Sequence, residues 1–335
     1  MTSPVLTTDE PNATNRRGGK PPRAPAHAMP TDRRRRDKRL TVAVFLSPAL
    51  LLYGLLVLTP VALAMWFSLY SWNGMGGLPT DFVGLDNFRR MLSDPIFLGD
   101  LRRGGILILL ALTVQLPLAM GLALLLNQRM RGRAIYRLLF FAPYVLSEVI
   151  TAVLFTSILS PDSGLLNHVL GSIGLESLQR AWLADPDTVL MSLFVVITWK
   201  FFGFYTILYL AGRQSIPHEL NEAASLDGAS PWQQFRHITL PLMGPTIRIS
   251  VFLSVIGTIQ LFDLVWVMTR GGPVRSSETL AVTMFDFGFQ RYQFGYASAF
   301  SVAMFVISMV FALLYVRFVM RRDTQGALTT MGGAK

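Results

Sequence analysis

The sequence predicts an all-helical integral membrane protein with six transmembrane helices. Hydrophobic residues make up 52% of the 335-residue chain and charged residues only 15%, whereas soluble domains carry about 25% charged residues. Six apolar stretches are each long enough to cross a bilayer, which takes about 20 residues at about 1.5 Å of rise per residue. Cysteine is absent, so the chain offers no disulfide and no thiolate ligand for a metal.

The six predicted spans lie in a membrane domain that extends over residues 41–322. In chain order they are residues 41–70, 104–127, 135–160, 189–211, 246–268 and 296–320. Proline interrupts some of them, at Pro60, Pro117 and Pro143, which membrane helices tolerate when neighbouring groups satisfy the freed carbonyls. The first span is too long for the apolar core of a secretory signal, so we predict that it is retained.

The two chain ends are predicted to be polar tails. Residues 1–40 are rich in proline and arginine and lack apolar periodicity, which predicts a disordered basic tail, and residues 323–335 form a second, short tail. Basic residues number 21 on the side of the tails and eight on the opposite side. Since loops with excess Lys and Arg stay in the cytoplasm, both tails and the segment 216–245 are expected there. We expect the basic tail to lie at an anionic bilayer surface rather than to bind nucleic acid.

The polar segment 216–245 is predicted to contain a short first helix that ends at a glycine turn. Residues 222–227 include good helix formers, and Glu222 is placed near the helix start, where the helix dipole favours a carboxylate. Gly228 can supply the left-handed conformation that ends a helix. The small residues around the turn allow another backbone to approach closely.

A second short helix is predicted to follow the turn. Ser230 is placed to cap it, with Pro231 at its first position. Trp232, Phe235 and Ile238 recur every three residues and give the helix an apolar face. Residues 239–241 are expected to close the unit before the next span. The whole pattern predicts a docking element.

Ten residues of this segment occupy positions of a known signature. They are Glu222, Ala223, Ala224, Asp227, Gly228, Ala229, Phe235, Ile238, Leu240 and Pro241. Together with Pro245, they resemble the EAA loop of the membrane subunits of binding-protein-dependent ABC importers. In that family the loop is a coupling helix that docks in a cleft of a cytoplasmic ATPase subunit. The resemblance therefore implies an ATPase partner, with Glu222 as the charged contact and Gly228 setting the angle of the turn.

The flanking sequence resembles the sugar and glycerol-3-phosphate branch of these permeases, from about residue 40 to 322. The matching stretches are residues 161–167, 182–183, 199–204, 214–220, 262–263, 269–273, 277–280 and 294–299. Arg213 departs from the pattern, because the sugar branch commonly has an apolar residue there; the fold prediction does not depend on it.

The resemblance implies a six-span permease of the type I ABC importer fold in a bacterial inner membrane. Its implied partners are a second, homologous permease subunit, two ABC ATPase subunits and an extracytoplasmic solute-binding protein. The sequence lacks the G-x-x-x-x-G-K-[ST] phosphate loop. We therefore expect a non-catalytic subunit that needs no cofactor of its own and relies on ATP hydrolysis in its partner.

The spans on either side of the coupling loop are expected to line a solute pathway. Aromatic faces suit sugar rings, and hydroxyl or amide groups suit sugar hydroxyls. The residues nominated on this basis are Thr198, Lys200, Phe201, Tyr205, Ser254, Thr258, Gln260 and Phe262. Charged groups inside a membrane need a wet cavity or a partner. Lys200 therefore either lines the pathway or forms a structural contact, and Glu148 and Asp263 are interpreted as structural.

Two other functions remain open on the sequence. One is an importer of the same family for another small solute, such as a polyamine or an amino acid. The other belongs to a different class, a stand-alone ion-coupled carrier or channel with Lys200 and Glu148 in its ion pathway. The scattered histidines predict no metal site, and no catalytic triad is visible.

Overall fold

The structure is a computed structural model that describes residues 31–128 and 131–320. The predicted tails lie mostly outside these residues. Helix α1 nevertheless begins at Thr31, so residues 31–40 are helical, whereas the sequence predicted them to be part of a disordered tail. Arginine and lysine are good helix formers, and here they continue the apolar helix toward its N-terminus.

The chain divides into two compact units, residues 1–58 and 59–335. The described part of the first unit consists of α1 (Thr31–Tyr53) followed by a π-helical turn, Gly54–Leu58. The described part of the second unit contains α2 (Thr59–Phe67) and a two-stranded antiparallel sheet, β1 (Tyr70–Ser71) with β2 (Asp81–Phe82).

The second unit continues with helices of very different lengths. They are α3 (Asp86–Ser93), α4 (Pro95–Leu110), α5 (Leu116–Leu126), α6 (Arg133–Val145), α7 (Glu148–Ile158), α8 (Leu165–Ser172), α9 (Val189–Gln214), α10 (His218–Leu226), α11 (Pro231–Gln234), α12 (Leu240–Leu242), α13 (Gly244–Ile259), α14 (Asp263–Thr269), α15 (Leu280–Phe285) and α16 (Phe294–Tyr315). Further π-helical turns occupy residues 111–115, 235–239, 286–290 and 316–320.

Four helical stretches of the described chain are long and apolar enough to cross a membrane: Leu40–Phe67, Pro95–Leu126, Val189–Gln214 and Phe294–Met320. Two bent pairs raise the number to six if each pair is one span. The second stretch begins about nine residues before the predicted span, because Pro95 at the first helical position and the Asp94 cap start a helix there. The predicted all-helical membrane fold is confirmed, and the predicted number of six spans is reached only if each bent pair is one span.

Two predicted spans are not continuous helices. The span predicted over 135–160 bends by 97° between α6 and α7, where Leu146 and Ser147 are extended. The span predicted over 246–268 stops at Ile259, and α14 begins after a short interruption. Hydropathy did not locate either break, because an apolar sequence predicts that a segment lies in the membrane but not the direction in which its backbone runs.

The core of the second unit consists of three clusters of buried apolar side chains. The first joins α4, α7, α9 and α14 through residues such as Leu107, Leu193 and Leu264. A second joins α3, α4 and α16 around Phe300. The third joins α5, α9 and α13 around Tyr209. Helix α9 takes part in two clusters, so it is the element against which the broken spans are placed.

Candidate functional site

The first half of the coupling segment, defined here as residues 218–242, ends in a glycine turn. Gly228 has φ +79°, its N–H donates to the Ser225 carbonyl at 3.1 Å, and the Ala229 N–H donates to the Ala224 carbonyl at 2.9 Å. This pair of bonds is the Schellman arrangement, which satisfies carbonyls at a helix end. A Cβ on Gly228 would meet no atom within 4 Å, so the backbone conformation is what requires glycine.

The second half begins with a complete capping box. The Gln233 N–H donates to the Ser230 hydroxyl at 3.3 Å, and the Ser230 N–H donates to the Gln233 side chain at 2.7 Å. Gln234 connects the two halves, since its amide donates to the Ser225 hydroxyl and to the Ala229 carbonyl, both at 3.0 Å. The predicted cap at Ser230 is present. The two glutamines were missed, although a glutamine three residues after a serine cap is a known signal.

The coupling segment differs from the prediction at two points. Helix α10 begins at His218, so Glu222 lies in the middle of the helix and Glu219 occupies its first turn. The second half does not close at residues 239–241. It continues through a π-helical turn into α12 and bends by 65° at the buried Met243 before α13.

Much of the coupling segment is exposed. Leu226 is 90% exposed and Trp232 63% exposed, which is unusual for large apolar side chains on a polar segment. Of the ten predicted coupling residues, the exposed ones are Glu222, Ala223, Asp227, Gly228, Leu240 and Pro241, and the half-buried ones are Ala224, Ala229, Phe235 and Ile238. The Phe235 ring contacts the Trp232 ring at 5.4 Å between centroids.

A cavity of about 370 Å³ lies between the helices of the second unit. Its lining residues come from α4, the adjoining π-helical turn, α6, α7, α9, α13 and the interruption before α14. Six of the eight predicted pathway residues are on its wall: Phe201, Tyr205, Ser254, Thr258, Gln260 and Phe262. The volume is within the range of small-molecule sites, which is roughly 300–1,000 Å³.

Both intramembrane carboxylates also line this cavity, contrary to their structural interpretation. Glu148 is the first residue of α7 and Asp263 the first residue of α14, and these two short helices pack against each other. Gln115 adds an amide, and the Tyr144 ring stacks on the Phe204 ring at 4.9 Å. The wall therefore combines aromatic faces with hydrogen-bond acceptors and donors. Pro143 indicated an interruption near the first of the two helix breaks that bring these groups together, but nothing in the sequence signalled the break before α14.

The remaining two predicted pathway residues are not part of the wall. Thr198 is half-buried, and its hydroxyl has no hydrogen-bond partner among the described residues. Lys200 is 2% exposed. Its ammonium group donates to the carbonyls of Pro143 and Tyr144 at 3.1 and 3.0 Å and also to that of Leu146. Lys200 is thus bonded to the backbone at the break between α6 and α7.

A cluster of charges connects α4 to the loop after α14. Arg103 pairs with Asp100 at 2.5 Å and donates to the Glu278 carbonyl at 2.8 Å. The Glu278 carboxylate lies 3.1 Å from Arg275, and its side chain is 6% exposed. Burial raises the pKa of Glu278 to about 7, although the charge of Arg275 opposes the shift. Across residues 31–128 and 131–320, no group of three metal-ligating side chains is placed to hold an ion.

Several proteins resemble this chain over most of its length. A probable ABC transporter permease of Pyrococcus horikoshii is 37% identical over 82% of this chain and 94% of its own. The sulfoquinovosyl glycerol transport system permease SmoG of Agrobacterium fabrum is 33% identical over 85% and 92%. The diacetylchitobiose uptake system permease NgcF of Streptomyces coelicolor is 33% identical over 87% and 84%.

Solved structures of a bacterial ABC transporter that imports the acidic polysaccharide alginate share the fold. One chain has a TM-score of 0.74 at 25% identity and covers 87% of this chain and 98% of its own. A second, from a complex with an alginate pentasaccharide-bound periplasmic protein, has a TM-score of 0.74 at 23% identity, with coverages of 86% and 96%. Residues 115–323 match the family described as binding-protein-dependent transport system inner membrane component. This chain therefore belongs to that family and is a multi-pass, non-catalytic permease subunit of an ABC importer.

Proposed function

We propose that this chain moves a sugar or a similar small polar solute into the cell by alternating access, driven by ATP hydrolysis in a partner. In this proposal it pairs with a second, homologous permease subunit, two ATPase subunits and an extracytoplasmic solute-binding protein. Both chain ends lie in the cytoplasm. The observation that carries the proposal is the pairing of an exposed, prefolded coupling segment with a polar and aromatic cavity in one chain.

The lining of the cavity supports a sugar. Phe201, Phe204 and Tyr205 offer ring faces, and the carboxylates of Glu148 and Asp263 accept hydrogen bonds from hydroxyl groups. SmoG and NgcF are named for a sugar-headed glycerol and a disaccharide, and the alginate transporter for a polysaccharide. The lining of the cavity and the names of these relatives therefore both favour a sugar as the solute class.

The exposure of the coupling segment supports an ATPase partner. Large apolar side chains on a polar surface mark contact sites for other proteins. Leu226 and Trp232 are such residues. Glu222 is also exposed, and in the sequence it lies between helix α9 and Leu226. Because the chain has no phosphate-binding loop, work from ATP has to arrive through a contact of this kind.

The contacts of Lys200 weigh against a stand-alone ion-coupled carrier. An ion-pathway lysine has to reach the pathway, but the ammonium group of Lys200 is bonded to backbone carbonyls and is absent from the cavity wall. Glu148 does line the cavity, so one of the two ion-pathway residues that the carrier alternative requires is suitably placed. A transport assay separates the two classes.

The assay compares uptake by proteoliposomes with and without the ATPase subunits and the solute-binding protein. We expect uptake of the bound sugar only with ATP and all subunits present. Flux through the permease alone would favour the carrier. Glu222→Lys and Gly228→Arg should each reduce uptake at least about tenfold with normal membrane insertion. The first variant reverses a charge at the contact, and the second places a non-glycine residue in a strained left-handed conformation.

A matched control is Glu176→Lys, a charge reversal at an exposed glutamate outside the coupling segment. It should leave uptake within about twofold of the unmodified chain. Full uptake by both coupling variants would contradict the docking role, even if the sugar had been identified correctly.

A further inference from the structure

The end of α6 leaves several backbone carbonyls without helical partners inside the membrane domain. In an unbroken helix the carbonyls of Pro143 and Tyr144 would accept from residues 147 and 148. The 97° bend carries those residues into the next helix. Unpaired backbone groups are unfavourable in an apolar medium, so the carbonyls of the last turn of α6 need other donors.

Lys200 supplies these donors from the neighbouring helix α9. An ammonium group has three protons and no acceptor. Here three carbonyls, those of Pro143, Tyr144 and Leu146, accept from it, so each proton has a partner. The positive charge also lies at the negative end of the α6 dipole. These contacts explain how a lysine that is 2% exposed is accommodated in a membrane helix.

A second residue on the same face of α9 allows α6 and α9 to approach each other closely. Gly203 follows Lys200 by three residues, which places both toward α6. A Cβ on Gly203 would overlap the carbonyl of Phe140. Glycine thus lets the backbone of α6 come close enough for Lys200 to reach the carbonyls one turn farther on.

We propose that Lys200 is a positioning residue that holds the break between α6 and α7 and thereby places Glu148 in the cavity. Glu148 begins α7 two residues after Leu146, whose carbonyl Lys200 binds. Glu148 lines the same cavity as Asp263. If the contact with the carbonyls is lost, α7 is free to move and the carboxylate leaves its place beside Asp263.

The test follows the burial of Thr151, which is one turn into α7 and is 0% exposed. Its hydroxyl has no partner among the described residues, so Thr151→Cys removes no hydrogen bond. The chain has no other cysteine, so a thiol introduced there is the only one in this subunit. Membrane-permeant N-ethylmaleimide is applied to membranes that contain the full chain, and the rate of labelling is measured.

We expect the thiol at position 151 to be protected when residue 200 is lysine. Lys200→Met leaves the carbonyls unpaired and should raise the labelling rate at least about tenfold, because each unpaired buried acceptor costs free energy. Lys200→Arg keeps a cation with several donors and should restore most of the protection. The readout needs no solute, so it stands whether or not the proposed sugar transport is correct.

Thr283→Cys is the matched control, because Thr283 is also 0% exposed but lies on α15 rather than on α6 or α7. It should stay protected with every residue at position 200. Continued protection of position 151 in Lys200→Met would overturn the proposal. So would labelling of positions 151 and 283 together, which would indicate general unfolding, or equal labelling in Lys200→Arg and Lys200→Met.

Discussion

The coupling segment and the break between α6 and α7 both contain helix ends whose backbone groups need hydrogen-bond partners. The two regions differ in how far away in the sequence those partners are. In the coupling segment the partners are three to nine residues apart, as for Ser230 with Gln233 and Ser225 with Gln234. At the break the partner is Lys200, which is 54 to 57 residues from the carbonyls it binds. One region is specified by its own sequence and the other by a neighbouring helix.

This difference has consequences for how the two regions respond to change. A locally capped segment keeps its shape when the surrounding helices move, which suits the docking role proposed for it. A break held by a distant side chain changes when the helices separate. The structure thus places a rigid element at the surface and a dependent one beside the cavity.

The largest effect that tests this comparison is expected at the contact between α6 and α9. Gly203→Ala places a methyl group against the Phe140 carbonyl, and overpacking of this kind should destabilise the chain by about 3 kcal/mol or more. Fluorescence-detected size exclusion after heating measures the loss. Gly121→Ala is the control, since a Cβ there meets nothing within 4 Å, and it should be neutral or slightly stabilising. Equal stability of the two variants would refute the close contact.

A smaller effect is expected from pH at Glu278. Its folded pKa of about 7 is above the ordinary value of 4.5, since burial outweighs the nearby charges of Arg275 and Arg103, while Asp100 and Asp286 add to the shift. The folded chain therefore binds the proton more tightly than the unfolded chain. The stabilisation is fully present below about pH 4.5 and is lost as pH rises through about 7.

The measurement is the thermal midpoint of the solubilised chain between pH 5 and pH 8. The unmodified chain should lose on the order of 2 kcal/mol over this range relative to Glu278→Gln, which cannot titrate. Parallel pH profiles for the two proteins would show that Glu278 does not titrate in this window.

The smallest effect is expected in the coupling segment itself. Ser230→Ala removes the cap of α11 and should cost about 1 kcal/mol. The loss should be local, with faster hydrogen exchange at the amides of residues 232–234 and no change in the protection of a thiol at position 151. Ser157→Ala, which removes an exposed hydroxyl within α7, is the control. A change at position 151 caused by Ser230→Ala would break the distinction between the two regions.

The features that the sequence predicted are those encoded by neighbouring residues. Gly228 in a left-handed turn, Ser230 as a cap and Pro231 at the first helical position all follow from a few consecutive residues. The four unbroken spans follow equally directly from hydropathy. Predictions of this kind need no knowledge of what packs against the segment.

The features that could not be predicted depend on pairs of residues far apart in the chain. Pro143 marked span three as interrupted, but the bend lies at Leu146 and Ser147 and is completed by Lys200. The sequence therefore left Lys200 between a pathway and a structural role, and it assigned Glu148 a structural one. The structure brings Glu148 to the cavity and leaves Lys200 off its wall.

The capping box and the Schellman turn also bear on the speed of docking. A surface that already has its bound shape loses little conformational entropy when a partner binds, and no folding step precedes association. In the proposed function, the amide of Gln234, which bridges the two short helices, would therefore favour rapid docking of the coupling segment on the ATPase partner.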